Sequence, residues 1–278
     1  MSARTRKEPW LLLLPAAALL GIGFVTPVAG MLLMSVQTPA GGFTLENFVR
    51  LFSSEYYMQA AWRSLRLGVI QTVVTLIIAI PLSYIMARAG SRLRSFLLIV
   101  VILPLMTSVV VRTFGWVVLM SPAGPLMQIP GLQELVGGTQ GLLGTEVGIV
   151  IAMVQVLLPF AVLSILGVMA GISPQLEEAS RTLGAGFWRT LRTVVLPLSV
   201  PGILAGASLV FVLSVSSFIT PRFIGGVQIP VFAQTIYVDA TTNLDWPFAA
   251  AQAVLLFAGV MLVLAAVARI GKQRTAAW

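Results

Sequence analysis
The chain of 278 residues is 58% hydrophobic and only 9% charged, with a formal net charge of +8 and a mean hydropathy of +0.99. A composition this apolar excludes an ordinary soluble domain and points to an integral membrane protein. Cys and His are both absent, which excludes disulfides, thiolate metal sites, a thiol nucleophile, the usual general base and the usual zinc ligand.

Six apolar runs are long enough to cross a hydrocarbon core of about 30 Å, which takes about 20 helical residues. They fall near Trp10–Val36, Ser64–Ala87, Phe96–Met120, Val147–Ala170, Pro201–Ile219 and Phe248–Ala268. The pattern predicts an all-α polytopic membrane protein with six transmembrane helices in one membrane domain spanning 1–278. The first run is too long for a removable signal peptide and reads as a retained span. After it, Thr44 can cap a short helix carrying Leu45, Phe48, Leu51 and Phe52 on one face. Tyr56, Tyr57 and Trp62 then suit an interfacial aromatic belt.

Polar groups inside spans are costly in lipid and therefore mark candidate pathway positions. The third span carries Thr107, Ser108, Arg112, Thr113 and Trp116, the fourth Gln155, and the fifth Ser214, Ser216 and Ser217. Counted from Arg94 at ~1.5 Å per residue, Arg112 lies about 27 Å along one continuous helix, near the outer surface. From there it can either snorkel outward or line a pathway. Pro27, Pro81, Pro104 and Pro159 are candidate kinks. Gly21-Ile22-Gly23 and the stretch from Gly202 to Gly206 suit close helix packing.

Between the fourth and fifth runs lies Glu178-Ala179-Ser180-Arg181-Thr182-Leu183-Gly184, followed after nine residues by Val194-Val195-Leu196-Pro197. Ser173 can cap a helix here, Pro174 suits its first position, and Glu177 and Glu178 sit where the helix dipole favours carboxylates. Leu176, Ala179 or Ser180, Leu183 and Phe187 recur at helical spacing. Gly184-Ala185-Gly186 predicts a bend into a second short helix, with Trp188, Leu191, Val194 and Val195 on one face. Without the Glu-to-Pro spacing, the segment would read as an ordinary interfacial amphipathic helix.

Beyond the fifth run, Pro221, Gly225-Gly226 and Pro230 interrupt the chain, and Val231–Tyr237 can form a short helix before Asp239 and Asp245-Trp246-Pro247. An acidic outer surface there could receive a soluble binding protein, although such loops more often serve only as packing lids. Orientation follows the cations. With the N-terminus inside, inner segments hold Arg4, Arg6, Lys7, Arg88, Arg92, Arg94, Arg181, Arg189, Arg192, Arg269, Lys272 and Arg274 against Glu8, Glu177 and Glu178. The remainder holds Arg50, Arg63, Arg66, Arg112 and Arg222 against Glu46, Glu55, Glu134, Glu146, Asp239 and Asp245. Both termini and the 173–197 loop are therefore expected in the cytoplasm. The basic charge is a topology signal and needs no nucleic acid. A phosphate-binding P-loop is missing, since Gly271-Lys272-Gln273 lacks both the upstream Gly and the Ser or Thr.

The Glu178–Gly184 segment and its Leu-Pro tail resemble the signature loop of permease subunits in binding-protein-dependent ABC importers; Ser180 replaces a consensus Ala, and Val194 the usual Ile. Val111-Arg112-Thr113-Phe114-Gly115-Trp116, Leu157-Leu158-Pro159-Phe160, Gly225-Gly226 and Asp245-Trp246-Pro247-Phe248 extend the likeness to permeases of the spermidine/putrescine type. The resemblance implies a type I importer permease, with an accessory span at 10–36, core spans at about 64–268 and a cytoplasmic coupling helix in the loop. It implies that Glu177, Glu178, Ala179, Ser180, Leu183 and Gly184 dock on a separate ATPase. It further implies two ATPase subunits that hold the ATP and magnesium, a second homologous permease and an extracytoplasmic solute-binding protein. The permease itself would not be an enzyme and would carry no cofactor. Polyamines, aminophosphonates and other small solutes are all substrates of such permeases. A self-contained secondary transporter or channel would account for the spans but not for the signature.

Overall fold
The computed structural model describes residues 8–38, 42–129 and 141–275; Arg4, Arg6, Lys7 and Glu134 lie outside them. The described residues are helical and contain no sheet, with a single isolated bridge between Gln37 and Phe43. Among the described residues, six segments are long and apolar enough to cross a membrane: Leu14–Ser35, Glu55–Arg88, Val109–Gln128, Glu146–Met169, Phe187–Ser216 and Trp246–Arg269.

The first span is α1 (Glu8–Leu20), a π-helical turn (Gly21–Val25) and α2 (Thr26–Ser35). The wide turn ends two residues before Pro27. Proline has no N–H to give, and its ring crowds the carbonyl four residues back, so the helix opens there. Next comes α3 (Glu46–Ser53); its N-cap is Leu45, one residue later than expected, and Thr44 Oγ1 instead accepts the Glu46 N–H at 3.0 Å in the turn before it.

The second span is the apolar part of α4 (Glu55–Arg88), whose 34 residues would be about 51 Å long and so overshoot the hydrocarbon. The expected unbroken helix over 96–120 does not form. It divides into α5 (Ser91–Ile102), a 3-10 turn (Leu103–Met106) and α6 (Val109–Met120). Thr107 and Ser108 are extended between them, so the distance counted to Arg112 along one helix does not hold. Pro104 removes a donor at this point, and the chain resolves the loss by turning.

The fourth span is α7 (Glu146–Met169), capped by Thr145 Oγ1, which accepts the Gly148 N–H at 3.0 Å. Then follow α8 (Pro174–Thr182) and α9 (Phe187–Thr190). A second π turn (Leu191–Val195) leads into α10 (Leu196–Ser216) and again ends two residues before a proline, Pro197. The fifth span therefore begins earlier than Pro201: the signature tail belongs to the same helical run, Phe187–Ser216. Beyond it lie α11 (Ile219–Gly225), α12 (Phe232–Thr241) and α13 (Trp246–Thr275).

The chain divides into two compact units. The smaller joins the described residues up to Met58 to Thr235–Ala258. Within it, Asp239 is 2% exposed and accepts from Tyr57 Oη at 3.4 Å, Asn243 Nδ2 at 2.6 Å and Gln252 Nε2 at 2.6 Å. Asp245 caps α13 by accepting the Phe248 N–H at 3.2 Å, and pairs with Arg50 at 2.8 Å. The Arg50 guanidinium lies 4.0 Å from the centre of the Phe248 ring. Asp239 and Asp245 thus serve the unit's own structure and are not free surface charge.

In the larger unit, α7 is the most buried span, with Ile149, Ala152, Met153, Leu157, Ala161, Ile165 and Met169 all enclosed. These recur at three- and four-residue steps, one stripe of a single helix. Against it, α10 packs through the small residues anticipated there. A Cβ built on Gly202 would lie 2.9 Å from Val168 Cβ, and one on Gly206 3.4 Å from the Ala161 carbonyl oxygen. Glu146, at the start of α7, pairs with Arg66 and, at 3.6 Å, with Arg63.

Gly202→Val should therefore cost about 1–3 kcal/mol by overpacking, visible as lower membrane abundance and a lower melting temperature in detergent. Gly23→Val, where nothing lies within 4 Å of the added Cβ, should leave both unchanged. Equal behaviour of the two variants would refute the packing account.

Candidate functional site
The signature residues fold as sequence chemistry dictates. Ser173 Oγ accepts the Gln175 N–H at 3.3 Å, and Pro174 opens α8 where its missing N–H costs nothing. At the other end, the Ala185 N–H donates to the Ser180 carbonyl at 3.1 Å and the Gly184 N–H to the Arg181 carbonyl at 2.9 Å. This pair of bonds is the Schellman stop. It requires a left-handed residue after the helix, and Gly184 has φ +86°. Gly184 is thus demanded by its own chain, independently of anything that approaches it.

The helix presents an uncovered face. Glu178, Ala179 and Gly184 are exposed, Leu176 is 47% exposed and Leu183, at the tip, is 89% exposed. Trp188 is also exposed, so it does not share the inward face of Val195 as the spacing predicts. Ser180, where the consensus has Ala, is half-buried and hydrogen-bonds Thr190 across the bend at 3.2 Å. The substitution ties the two short helices together.

Glu177 points the opposite way from Glu178. It is 5% exposed. Its Oε1 accepts from Arg88 Nε at 2.7 Å and its Oε2 from Tyr84 Oη at 2.9 Å. Arg88 Nη2 also donates to the Ile172 carbonyl at 3.1 Å, just before the cap. The Tyr84 ring meets Phe187 edge-on at 5.8 Å between centroids. Glu177 therefore fastens α8 to the end of α4 and does not belong to the uncovered face. The sequence motif does not mark Tyr84 and Arg88 as site residues. The available signal was their four-residue spacing, which puts both on one face of α4.

The intramembrane polar set separates into three groups. Thr113 is 1% exposed and bonds Thr220 at 3.0 Å, while Ser214 bonds Gln71; both tie helices together. Trp116 Nε1 donates to Gln155 Oε1 at 3.3 Å, which joins α6 to α7. Thr107 and Ser216 are exposed and bond local carbonyls, at Pro104 (2.8 Å) and Val212 (2.6 Å). Ser108 is exposed before α6, and Ser217 reaches Met153 Sδ at 3.6 Å. Arg112 is half-buried, and its Nε and Nη1 have no partner among the described residues, so the side chain has not snorkelled fully into water. Among the described residues no group of His, Cys, Asp and Glu is arranged to hold a metal ion.

Residues 79–276 match the family described as the binding-protein-dependent transport system inner membrane component. The chain belongs to that family. Its members are permease components of ABC importers and are not themselves catalytic, so the protein is a multi-pass inner-membrane permease. The spermidine/putrescine transport system permease protein PotB of Haemophilus influenzae is 31% identical over 208 residues, covering 75% of this chain and 72% of its own. PotB of Escherichia coli K12 is 28% identical over 260 residues, covering 92% of each. A crystal structure of a bacterial ABC transporter involved in the import of the acidic polysaccharide alginate aligns with a TM-score of 0.80. That alignment has 20% identity and covers 96% of each chain, so the permease has that fold. A binding-protein-dependent system implies an ATPase and a solute-binding protein as partners of this permease.

The conformation of Gly184 gives a local test. A Cβ there meets nothing within 4 Å of its own chain, so Gly184→Ala should suffer only the backbone penalty of about 1–2 kcal/mol. The amides of residues 184 and 185 should then exchange with deuterium about tenfold faster, whereas Gly184→Asn, which tolerates a left-handed conformation, should stay near wild type. Unaltered exchange in Gly184→Ala would contradict the role given to its positive φ.

Proposed function
We propose that this permease forms half of the solute pathway of an ATP-driven importer, and that α8 is the coupling helix through which a separate ATPase moves it. The observation that carries the reading is the uncovered face of α8. Leu183 is 89% exposed at the helix tip, beside Glu178 and the tight turn at Gly184. A soluble-facing leucine so exposed, next to a charge and a close-approach backbone, suits a cleft on another protein.

Two ATPase subunits would flank the pair made by this permease and a different homologous permease. The cation excess on the segments holding both termini and α8 supports their placement in the cytoplasm, opposite α12. Closure of the ATPases on ATP would draw the coupling helices together and turn the bundle outward, towards the binding protein. Thr107, Ser108, Arg112, Ser216 and Ser217 are the pathway candidates left when the helix-to-helix polar pairs are set aside. The solute is a polyamine-like cation. Its support is the likeness to two spermidine/putrescine permeases over most of the chain. With no acidic residue in the middle of a span, selection would rest with the binding protein.

Three experiments test the reading. Leu183→Asp places a charge at the tip, where a buried unpaired carboxylate is costly. Spermidine uptake should fall at least about tenfold, with reduced ATPase copurification and normal permease abundance. Normal uptake at normal abundance would sink the coupling assignment. Wild-type uptake of spermidine or putrescine that is absent in a deletion strain would support the substrate, and its presence there would remove it. For orientation, Thr182→Cys and Thr241→Cys lie at exposed positions in a cysteine-free chain. An impermeant maleimide applied to intact cells should label the second alone; labelling of the first alone reverses the topology.

A further inference from the structure
Two consecutive acids on α8 have opposite environments, and the mechanism above uses only the outward one. We infer that the inward one, Glu177, is the positioning residue that makes the second span follow the coupling helix. The inference rests on the coupling assignment of α8 but concerns where the motion goes next.

A displacement of α8 can leave along the backbone or sideways. Along the backbone, its upstream link to α7 is the short turn at Ala170-Gly171-Ile172, outside regular helix. Downstream it passes through the bend at Gly184-Ala185-Gly186 and the π turn before α10. Neither link reaches α4, whose last residue, Arg88, is 89 positions from Glu177 in sequence. α4 can follow α8 only through side chains.

The direct hold of α4 on α8 runs through Arg88 and Tyr84, beside the indirect one that Ser83 makes on α7 by donating to the Val162 carbonyl at 3.2 Å. Arg88 grips Glu177 Oε1 and the Ile172 carbonyl, so it spans both the first turns of α8 and the turn that leads into them. Tyr84, one helical turn earlier, takes the other carboxylate oxygen. Its ring bears on Phe187 of α9. Both carboxylate oxygens are thus engaged, and the group is too enclosed to serve a docked partner. Charge-assisted hydrogen bonds shielded from water are short and directional, unlike the exposed ion pairs of a surface. The contact therefore resists shear between α8 and α4. It also explains why the first of two adjacent glutamates contributes nothing to the uncovered face.

The test uses the whole transporter, with this permease, its partner permease, ATPase and binding protein, in proteoliposomes. Arg88→Ala and Glu177→Ala are compared with wild type at matched permease content. ATPase copurification and ATP hydrolysis should persist in both, while solute imported per ATP falls at least about fivefold. The chain has no cysteine, so the double variant Arg88→Cys with Glu177→Cys can be bridged by a short bis-maleimide. Bridging should restore import per ATP to within about twofold of wild type, because it replaces the lost link covalently. Unchanged import per ATP in both alanine variants overturns the inference. So does an import ratio that stays low after bridging, since the pair would then only support local folding. Loss of ATPase copurification in Glu177→Ala overturns it as well, by making Glu177 a docking residue. The parent reading fails separately: if Leu183→Asp retains both ATPase and uptake, α8 is not the coupling helix, whatever the Glu177 variants do.

Discussion
In hydrocarbon, each backbone N–H and C=O has to find its partner within the protein. A chain with this composition is therefore committed to helices, and any departure from the α-helix needs a local cause. Pro27, Pro104 and Pro197 supply three such causes. Two are resolved by π turns ending two residues before the proline, and the third by a 3-10 turn followed by a short extended break. The last two carry functional weight. The π turn before Pro197 joins α9 to α10 without a loop, so the Leu-Pro tail of the signature steers a surface helix into a span. The break after Pro104 brings Thr107 and Ser108 out of a helix in mid-chain, where Thr107 turns its N–H and hydroxyl back to the Pro104 carbonyl and the Ser108 carbonyl accepts the Arg112 N–H of α6. Pro81 and Pro159 lie inside continuous helices and produce neither outcome.

The signature can then be divided by physical role. Gly184 satisfies the stop of α8 through its positive φ, and Ser173 and Pro174 satisfy its start. Ser180 holds the bend through Thr190. Glu177 anchors the helix to α4. What remains facing outward, Glu178, Ala179 and Leu183, is the exposed face of α8. A motif that reads as one docking patch is thus a small folded device in which half the residues build the support for the other half.

The polar residues within spans obey the same economy. A hydroxyl in a low-dielectric interior is costly unless bonded. Thr113 and Ser214 escape that cost by bonding across helices, Ser216 by bonding within its own. Arg112 stands apart, with two nitrogens enclosed and unpartnered among the described residues. Such a group gives the permease a cation in its third span, while Asp239 and Asp245, outside the spans, and Glu146, the first residue of the fourth, are each engaged within their own unit.

The sequence alone determined the class, the six spans and the signature. These depend on composition, on runs of about 20 apolar residues and on fixed local spacing, all of which act over a few turns of chain. It also determined the cap at Ser173 and the close packing at Gly202. It did not determine the break in the third span or the early start of the fifth. Hydropathy is blind to how a proline's missing donor is made good, and a continuous helix and a turned one score alike. Nor could it separate Glu177 from Glu178, which differ by one position and by no local property. Their opposite fates were decided by where the end of α4 lies in space, because a buried carboxylate is stable only where a distant Arg88 and Tyr84 happen to converge on it.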